Sequence, residues 1–384
     1  MIGWYVHHHG AGHLARATTI AERLATPLTV LSSLPRPERW RGGWIELPRD
    51  DAGSGREAAA GGALHWAPLH DDGLRTRMAV IAAWIGAARP RLFVADVSCE
   101  VAAFVRLLGV PLVVVGMPGT RTDAPHQLAY RLAGAILAPW PAWAEPLTGV
   151  EPWRGKLHAV GAISRFEGRQ APVGADGARG GPPQRPDAPE RSADALPQRA
   201  GGPKRRVLLI SGRGGSAITA AQVTAARRAT PQWTWDVLGP PAGRWEPDPW
   251  PALKRADVVV CHAGQNLLAD VAAARRPAIV LPQARPFDEQ HATADVLDRA
   301  GLATVLRRWP RADEWPALLQ RAAARDGALW ARWAPGDGAA RAAALLDRLT
   351  GDPAPEELAA STAVAPPPRA SGGGALAGIP CAPR

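Results

Sequence analysis

A short apolar run, a turn of small residues and then a helical pattern open this chain, and the same arrangement restarts after residue 205. Ile2 to Val6 runs into Gly10-Ala11-Gly12, and Arg206 to Ile210 runs into Ser211-Gly212-Arg213-Gly214-Gly215. Apolar runs bounded by turns and alternating with helices mark parallel strands buried on both faces, because crossover helices cover each side of the sheet. After the first turn the pattern predicts a helix over 13–25, strands over 28–31, 92–95, 111–115 and 135–137, and helices over 75–88, 99–108 and 123–133. Residues 32–75 carry no assignable pattern. After the second turn it predicts helices over 217–229, 265–275, 289–300 and 338–349, and strands over 233–238, 257–260 and 278–281.

Residues 168–205 are dominated by Gly, Pro, Ala, Arg and Asp. Such a stretch cannot bury enough apolar surface to offset its ordering entropy, so it reads as a disordered linker. Residues 351–384 read as a disordered tail for the same reason. The expected architecture is α/β: two doubly wound Rossmann-like domains, 1–167 and 206–350, with a central cleft. A length of 384 residues suits two domains.

The net charge of +10 invites a nucleic-acid reading. Only Lys156, Lys204 and Lys254 among the 45 basic residues are lysine, and Ala, Gly, Pro and Arg are all abundant. A GC-rich coding bias produces that pattern as readily as selection for charge does, so no nucleic-acid partner is expected. A basic surface still favours acidic lipid head groups or phosphorylated ligands. Cys99, Cys261 and Cys381 are far apart and odd in number, which argues against a disulfide framework or zinc site and for a reducing compartment. The N-terminus has neither a basic n-region nor an apolar h-region, and no apolar run approaches the ~20 residues of a membrane span. A cytoplasmic protein is expected, with peripheral contact at a membrane face left open.

The most specific motif runs from Val258 to Asp270 and continues through Pro282 to Ala294. A strand ends in His262-Ala263-Gly264 and a helix begins near Gln265 and Asn266. Free N–H groups and the positive end of the helix dipole then face any phosphate placed there. Asp270, later on that helix, can accept hydrogen bonds from ribose hydroxyls. Asp288, Glu289 and Gln290 offer the paired acceptors and donors that suit hexose hydroxyls.

These residues resemble the nucleotide-sugar site of GT-B fold glycosyltransferases, and family 28 above all, strongly over 257–305 and loosely elsewhere. The resemblance implies a diphosphate at Gly264, Gln265 and Asn266, ribose at Asp270 and the sugar at Glu289 and Gln290. It also implies a uridine diphosphate donor, an inverting outcome and no cofactor. The chain departs from that pattern in three ways. Asp270 replaces the usual Glu, Thr293 stands where Asn is common, and the turn reads His-Ala-Gly.

The loop Gly212-Arg213-Gly214-Gly215 is a second phosphate nest or an ordinary βα turn, and it lacks the Gly-Lys-Ser/Thr of a P-loop. The first loop, with Gly10 and Gly12, resembles the family's Gly-rich loop, where a His follows the glycines. His13 by that match takes the proton of an acceptor hydroxyl, or else caps the helix. Arg16 could balance leaving-group charge. Dinucleotide binding would require an acid after the second strand, where Ser32-Ser33 stands. His9 and His13 have no third partner for a metal. A third cluster follows other strand ends: Asp96 and Glu100, which could support the base, with Arg121, Asp123 and His126 on the acceptor side. Capping is the competing reading for Asp96 and Asp123.

The expected reaction is metal-independent transfer of a hexose, N-acetylglucosamine being one candidate, from a UDP-sugar to an acceptor hydroxyl. The acceptor is open between a lipid-linked sugar, a small metabolite and a polysaccharide. A UDP-sugar 2-epimerase of the same fold, or a non-catalytic nucleotide-sugar binder, are the alternatives.

Overall fold

Five consecutive residues, Ile2–Val6, are all buried, which a strand achieves only when both faces of its sheet are covered. The computed structural model shows this strand at the middle of a seven-stranded parallel sheet. It describes residues 1–8, 11–51, 55–169, 204–212, 214–240 and 243–351. The chain divides into two compact units, Met1–Thr350 and Gly351–Arg384, and the first contains every element below.

The first half runs β1 (Ile2–Val6), α1 (Ala11–Ala21), β2 (Leu28–Ser32), β3 (Gly43–Glu46), α2 (Asp72–Ala88), β4 (Leu92–Asp96), α3 (Cys99–Leu107) and β5 (Leu112–Val115). It continues with β6 (Gly119–Thr120), α4 (Ala124–Leu132), β7 (Ala135–Ala138), β8 (Leu147–Thr148) and β9 (Leu157–Ala159). The sheet order is β3-β2-β1-β4-β5-β7-β9, with β6 and β8 paired separately. The second half runs β10 (Arg205–Ile210), α5 (Ala220–Ala229), β11 (Trp233–Leu238), α6 (Trp250–Arg255), β12 (Val258–Cys261) and α7 (Gln265–Ala273). Then come β13 (Ala278–Val280), α8 (Glu289–Arg299), β14 (Thr304–Val305), α9 (Trp315–Ala323) and α10 (Gly338–Thr350). Its parallel sheet has the order β11-β10-β12-β13-β14.

In each sheet the chain first moves outward one way and then returns to the other side of its first strand. The strand order therefore reverses between β1 and β4, and between β10 and β12. Ligands in open α/β sheets bind at such switch points, beyond the carboxyl ends of the strands. Four of the segments singled out in the sequence follow β1, β4, β10 and β12, whereas Asp288 to Gln290 follow β13 and Arg121 to His126 follow β6.

Local chemistry sets the helix starts. Ser98 accepts the Val101 N–H to begin α3, and Asp123 accepts that of His126 to begin α4. Thr219 and Gln222 form a capping box, so α5 begins at Ala220 rather than 217. β3, β9, β14, α6 and α9 are short, and no sequence pattern marks them. β3 lies at the sheet edge with none of its residues fully buried, so it lacks the apolar run of its neighbours.

The last helix, α10, departs from the sequence-based division into 1–167 and 206–350. Its Ala339, Ala342, Ala343, Leu345 and Leu346 are buried with Ile2, Trp4, Ile20 and Val94 of the first half. Asp347 accepts N–H groups of Ala25 and Thr26, and Glu167 accepts that of Ala339. The two chain crossings between halves run side by side, with the Ala162 N–H donating to the Trp333 carbonyl at 3.0 Å. Of the expected linker, residues 170–203 lie outside the described residues, as does the tail from 352 onward. Among the described residues no helix is long and apolar enough to cross a membrane.

Candidate active site

The two switch points face one another across a cleft of about 630 Å³. From the first half, α1 brings His13 and Arg16 to its wall. Behind them, at the end of β4, Asp96 is completely buried. Its Oδ1 lies 3.0 Å from His13 Nδ1 and accepts from Arg16 Nη2 at 2.6 Å. Its Oδ2 has no hydrogen-bond partner among the described residues. Burial alone would raise the Asp96 pKa, but the Arg16 charge and the hydrogen bonds from Arg16 and His13 outweigh it and hold the carboxyl down at about 2. Arg16 Nη2 also stands 3.1 Å from His13 Nδ1, and in the tautomer whose Nδ1–H donates to the ionised Asp96, Nε2 is left able to accept a proton. Val97, the next residue, has φ +82°. A β-branched side chain there costs about 1–3 kcal/mol, strain of the kind found where a site over-determines its backbone.

From the second half, His262 follows the end of β12 and α7 begins at Gln265, with no side chain capping its first turn. The open N–H groups of that turn form an anion site with the helix dipole behind them. His262 is spoken for: Nδ1–H donates to the Leu281 carbonyl at 2.8 Å, and Nε2 accepts from Ser216 Oγ at 2.9 Å. Burial lowers its pKa, so it is a neutral brace joining the turn to the 211–216 loop. Ala263 N–H and Gln283 N–H both donate to Gln290 Oε1, at 3.2 and 3.0 Å, so Gln290 holds the turn's shape. Arg285, which the sequence reading missed, donates to the Gly214 carbonyl at 2.5 Å and brings a cation to the second loop. Ser211 Oγ is buried there without a partner among the described residues.

The halves touch through polar bonds. Asn266 Nδ2 donates to the Gly12 carbonyl at 2.7 Å, and Arg16 Nη1 donates to Gln265 Oε1 at 3.3 Å. One guanidinium thus binds Asp96 on its own half and the head of α7 on the other. A further meeting point is Gly119, φ +98°, where a Cβ would stand 2.1 Å from the Phe287 carbonyl. Phe287 and Asp288 both adopt left-handed conformations, with φ +60° and +57°. Arg121 stacks on the Phe287 ring at 4.2 Å and approaches Glu289 at 3.6 Å. Burial lowers the Arg121 pKa and raises that of Glu289.

The structure sorts the expected residues. His13, Arg16, Arg121, Gly12, Gly212, Gly214, Gly215, His262, Ala263, Gly264, Gln265, Asn266, Asp270, Glu289 and Gln290 line the cleft. Gly10 and Arg213 lie outside the described residues. Five others do not reach the cleft wall, among them Asp96, which stands behind His13 and Arg16. Glu100, expected near the base, instead accepts the N–H groups of His65 and Trp66 at 2.7 and 3.1 Å and so anchors a loop. Asp123 caps α4 and binds the rings of His65 and His126, while Asp288 pairs with His291 at 2.7 Å. His126 is buried in this cluster. Asp270 is in the cleft, but Ser164 Oγ donates to its Oδ1 at 2.8 Å and Arg165 Nε to its Oδ2 at 3.1 Å. Burial pushes its pKa up to about 6, against the pull of Arg165. Both partners come from the crossing segment after β9, which no local motif could reveal.

Residues 248–314 match the glycosyltransferase family 28 C-terminal domain. No curated protein sequence matches the chain significantly. Among solved structures, a UDP-glucosyltransferase from Polygonum tinctorium capable of glucosylating indoxyl superposes with a TM-score of 0.60 at 14% identity, covering 92% of this chain and 99% of that one. The glycotransferase of kitacinnamycin does so with a TM-score of 0.59 at 15% identity, covering 91% and 98%. Acinetobacter baumannii MurG gives 0.56 at 14% identity, covering 90% and 99%. The fold is GT-B, and the segment matching family 28 contains the α7 turn, Asp270 and Glu289.

Proposed function

We propose that this chain, a glycosyltransferase of GT-B type, moves a hexose from a UDP-sugar to an acceptor hydroxyl with inversion at the anomeric carbon. The observation carrying this reading is the His13–Asp96 pair facing the open N-terminus of α7 across the cleft. The acceptor oxygen attacks the anomeric carbon as its proton passes to His13 Nε2. The bond from that carbon to the diphosphate oxygen breaks, and its electron pair leaves with the nucleotide. Asp96, behind the ring, stabilises the imidazolium that forms. Attack from the His13 side on a donor seated in the second half is what makes the outcome inverting.

The leaving diphosphate gathers negative charge. The N–H groups at Gly264 to Asn266, the 211–216 loop and Arg285 are placed to take it. These groups supply the charge balance that a divalent ion gives elsewhere, so turnover in a chelator should equal turnover without one. Glu289 is the group for sugar hydroxyls, and Asp270 for ribose once a hydroxyl replaces Ser164 or Arg165. The Polygonum tinctorium relative, a UDP-glucosyltransferase, supports uridine as the donor base. The acceptor is a hydroxyl compound, small or lipid-linked, entering past Arg121 and Phe287.

The test is incubation with UDP-N-acetylglucosamine and UDP-glucose, with and without a panel of hydroxyl acceptors. Glycoside and UDP formed only with an acceptor is the expected result. Epimerised sugar or rapid UDP release without one would replace transfer by the epimerase or a hydrolase. Absence of any UDP-sugar binding by calorimetry would remove the donor assignment itself.

A further inference from the structure

Outside the cleft, His65, Cys99 and His126 bring one ligand-type atom each to within 4.8 Å of one another. We propose that these three side chains, with the Asp123 carboxylate, form a binding site for a single divalent transition-metal ion of the zinc class. The four donors come from three separate elements: the loop before α2, the first residue of α3, and the cap and first turn of α4. Asp123 Oδ1 stands 3.0 Å from His65 Nε2 and 2.9 Å from His126 Nδ1, so both rings already turn a nitrogen toward one carboxylate. Capping α4 does not require this, since Asp123 meets that need through the His126 backbone N–H alone. Cys99 is a free, buried thiol beside the pair.

A second observation is space. A small cavity of about 20 Å³ is lined by two of the four ligands, Cys99 and His126, while His65 and Asp123 stand outside its lining. A volume of that order holds one water or one ion. Two nitrogens, a sulfur and an oxygen make a borderline-soft tetrahedral set, which suits zinc or cobalt and does not suit calcium or magnesium, whose ligands are oxygens. Charge also balances. Binding releases the Cys99 proton to solvent, and the thiolate and Asp123 then match the two positive charges of the ion. Ligation through Nδ1 moves the His126 proton to Nε2, where Arg121 Nη1 now donates at 3.3 Å. That one long bond is lost. Arg121 keeps its bonds to the Pro118 carbonyl and its place over Phe287.

The full chain, stripped with chelator and dialysed, is titrated with zinc chloride alone by calorimetry and with cobalt chloride alone by absorbance. One ion per chain is expected, with a thiolate-to-cobalt charge-transfer band. Cys99→Ser should abolish that band, and His65→Ala, at a one-third exposed side chain, should weaken zinc at least ~10-fold while leaving the fold intact by circular dichroism. His291→Ala is the control and should change neither. The site is refuted if wild type binds no more zinc than the His65→Ala, Cys99→Ser double variant, or if the cobalt band survives loss of the thiol.

Discussion

Two buried aspartates serve the cleft from opposite halves, each paired with an arginine, and they titrate in opposite directions. Asp96 is held at about 2 and Asp270 is pushed up to about 6. Desolvation raises both. Asp96 sits between a buried guanidinium and an imidazole, and the guanidinium's charge together with hydrogen bonds from both groups overcomes that penalty in a dry site. Asp270 has Ser164 and Arg165, whose side chain is 40% exposed and shares its charge with water. The first is a permanent anion fit to hold an imidazolium. The second is a hydrogen-bonding group whose charge is set by what occupies the cleft.

The sharpest break of this comparison is His13→Ala. Loss of the base that Asp96 serves should lower kcat by ~10²–10⁴ while donor affinity stays within ~2-fold. Equal loss of both would make His13 a donor ligand. Asp96→Asn should come next. The depressed pKa means that the wild-type advantage is fully present above about pH 4 and disappears as pH falls through about 2. A gap of roughly 2 kcal/mol at neutral pH, closing in acid, is expected from denaturant melts. Asp270→Asn should show the opposite sign. In wild type the folded state holds its proton more tightly than the unfolded state, so stability drains away as pH rises from about 4 through about 6. The variant should therefore gain on wild type by roughly 2 kcal/mol over that window, and a gap that stays level or moves the other way would mean that Arg165 dominates. Arg285→Ala should lower kcat/KM for the UDP-sugar about 10-fold, the effect of one charge-assisted contact, with part of the loss in kcat because the diphosphate gains charge as it leaves. Glu100→Gln should be smallest, under ~2-fold in turnover, because that carboxylate holds only the His65 loop.

What was legible in the sequence follows the same division. The α7 turn and Glu289 lie in one continuous stretch whose chemistry is local: a strand, a small-residue turn and a helix start. Such features are written in consecutive residues. The pairing of His13 with Asp96 spans 83 positions, and both residues were singled out for the right neighbourhood because each ends or follows a switch-point strand. Glu100 follows the same strand end, yet in the first turn of α3 its side chain faces a loop that carries no pattern of its own. His65 and Arg285 were invisible because only tertiary packing gives them partners. Asp270's bonds to Ser164 and Arg165 depend on where the chain crosses between halves, which no local rule specifies.

The return of α10 to the first sheet makes the second half a guest inserted into a host, attached at two points. Severing the chain before residue 338 would not yield a free-standing first half, because a groove over Ile2, Trp4 and Ile20 would be stripped of its cover. The second crossing is tied to the end of the first half where the Ala162 N–H donates to the Trp333 carbonyl. His13 and the head of α7 are held in one register by the bonds that cross the cleft beside them, Arg16 to Gln265 and Asn266 to Gly12.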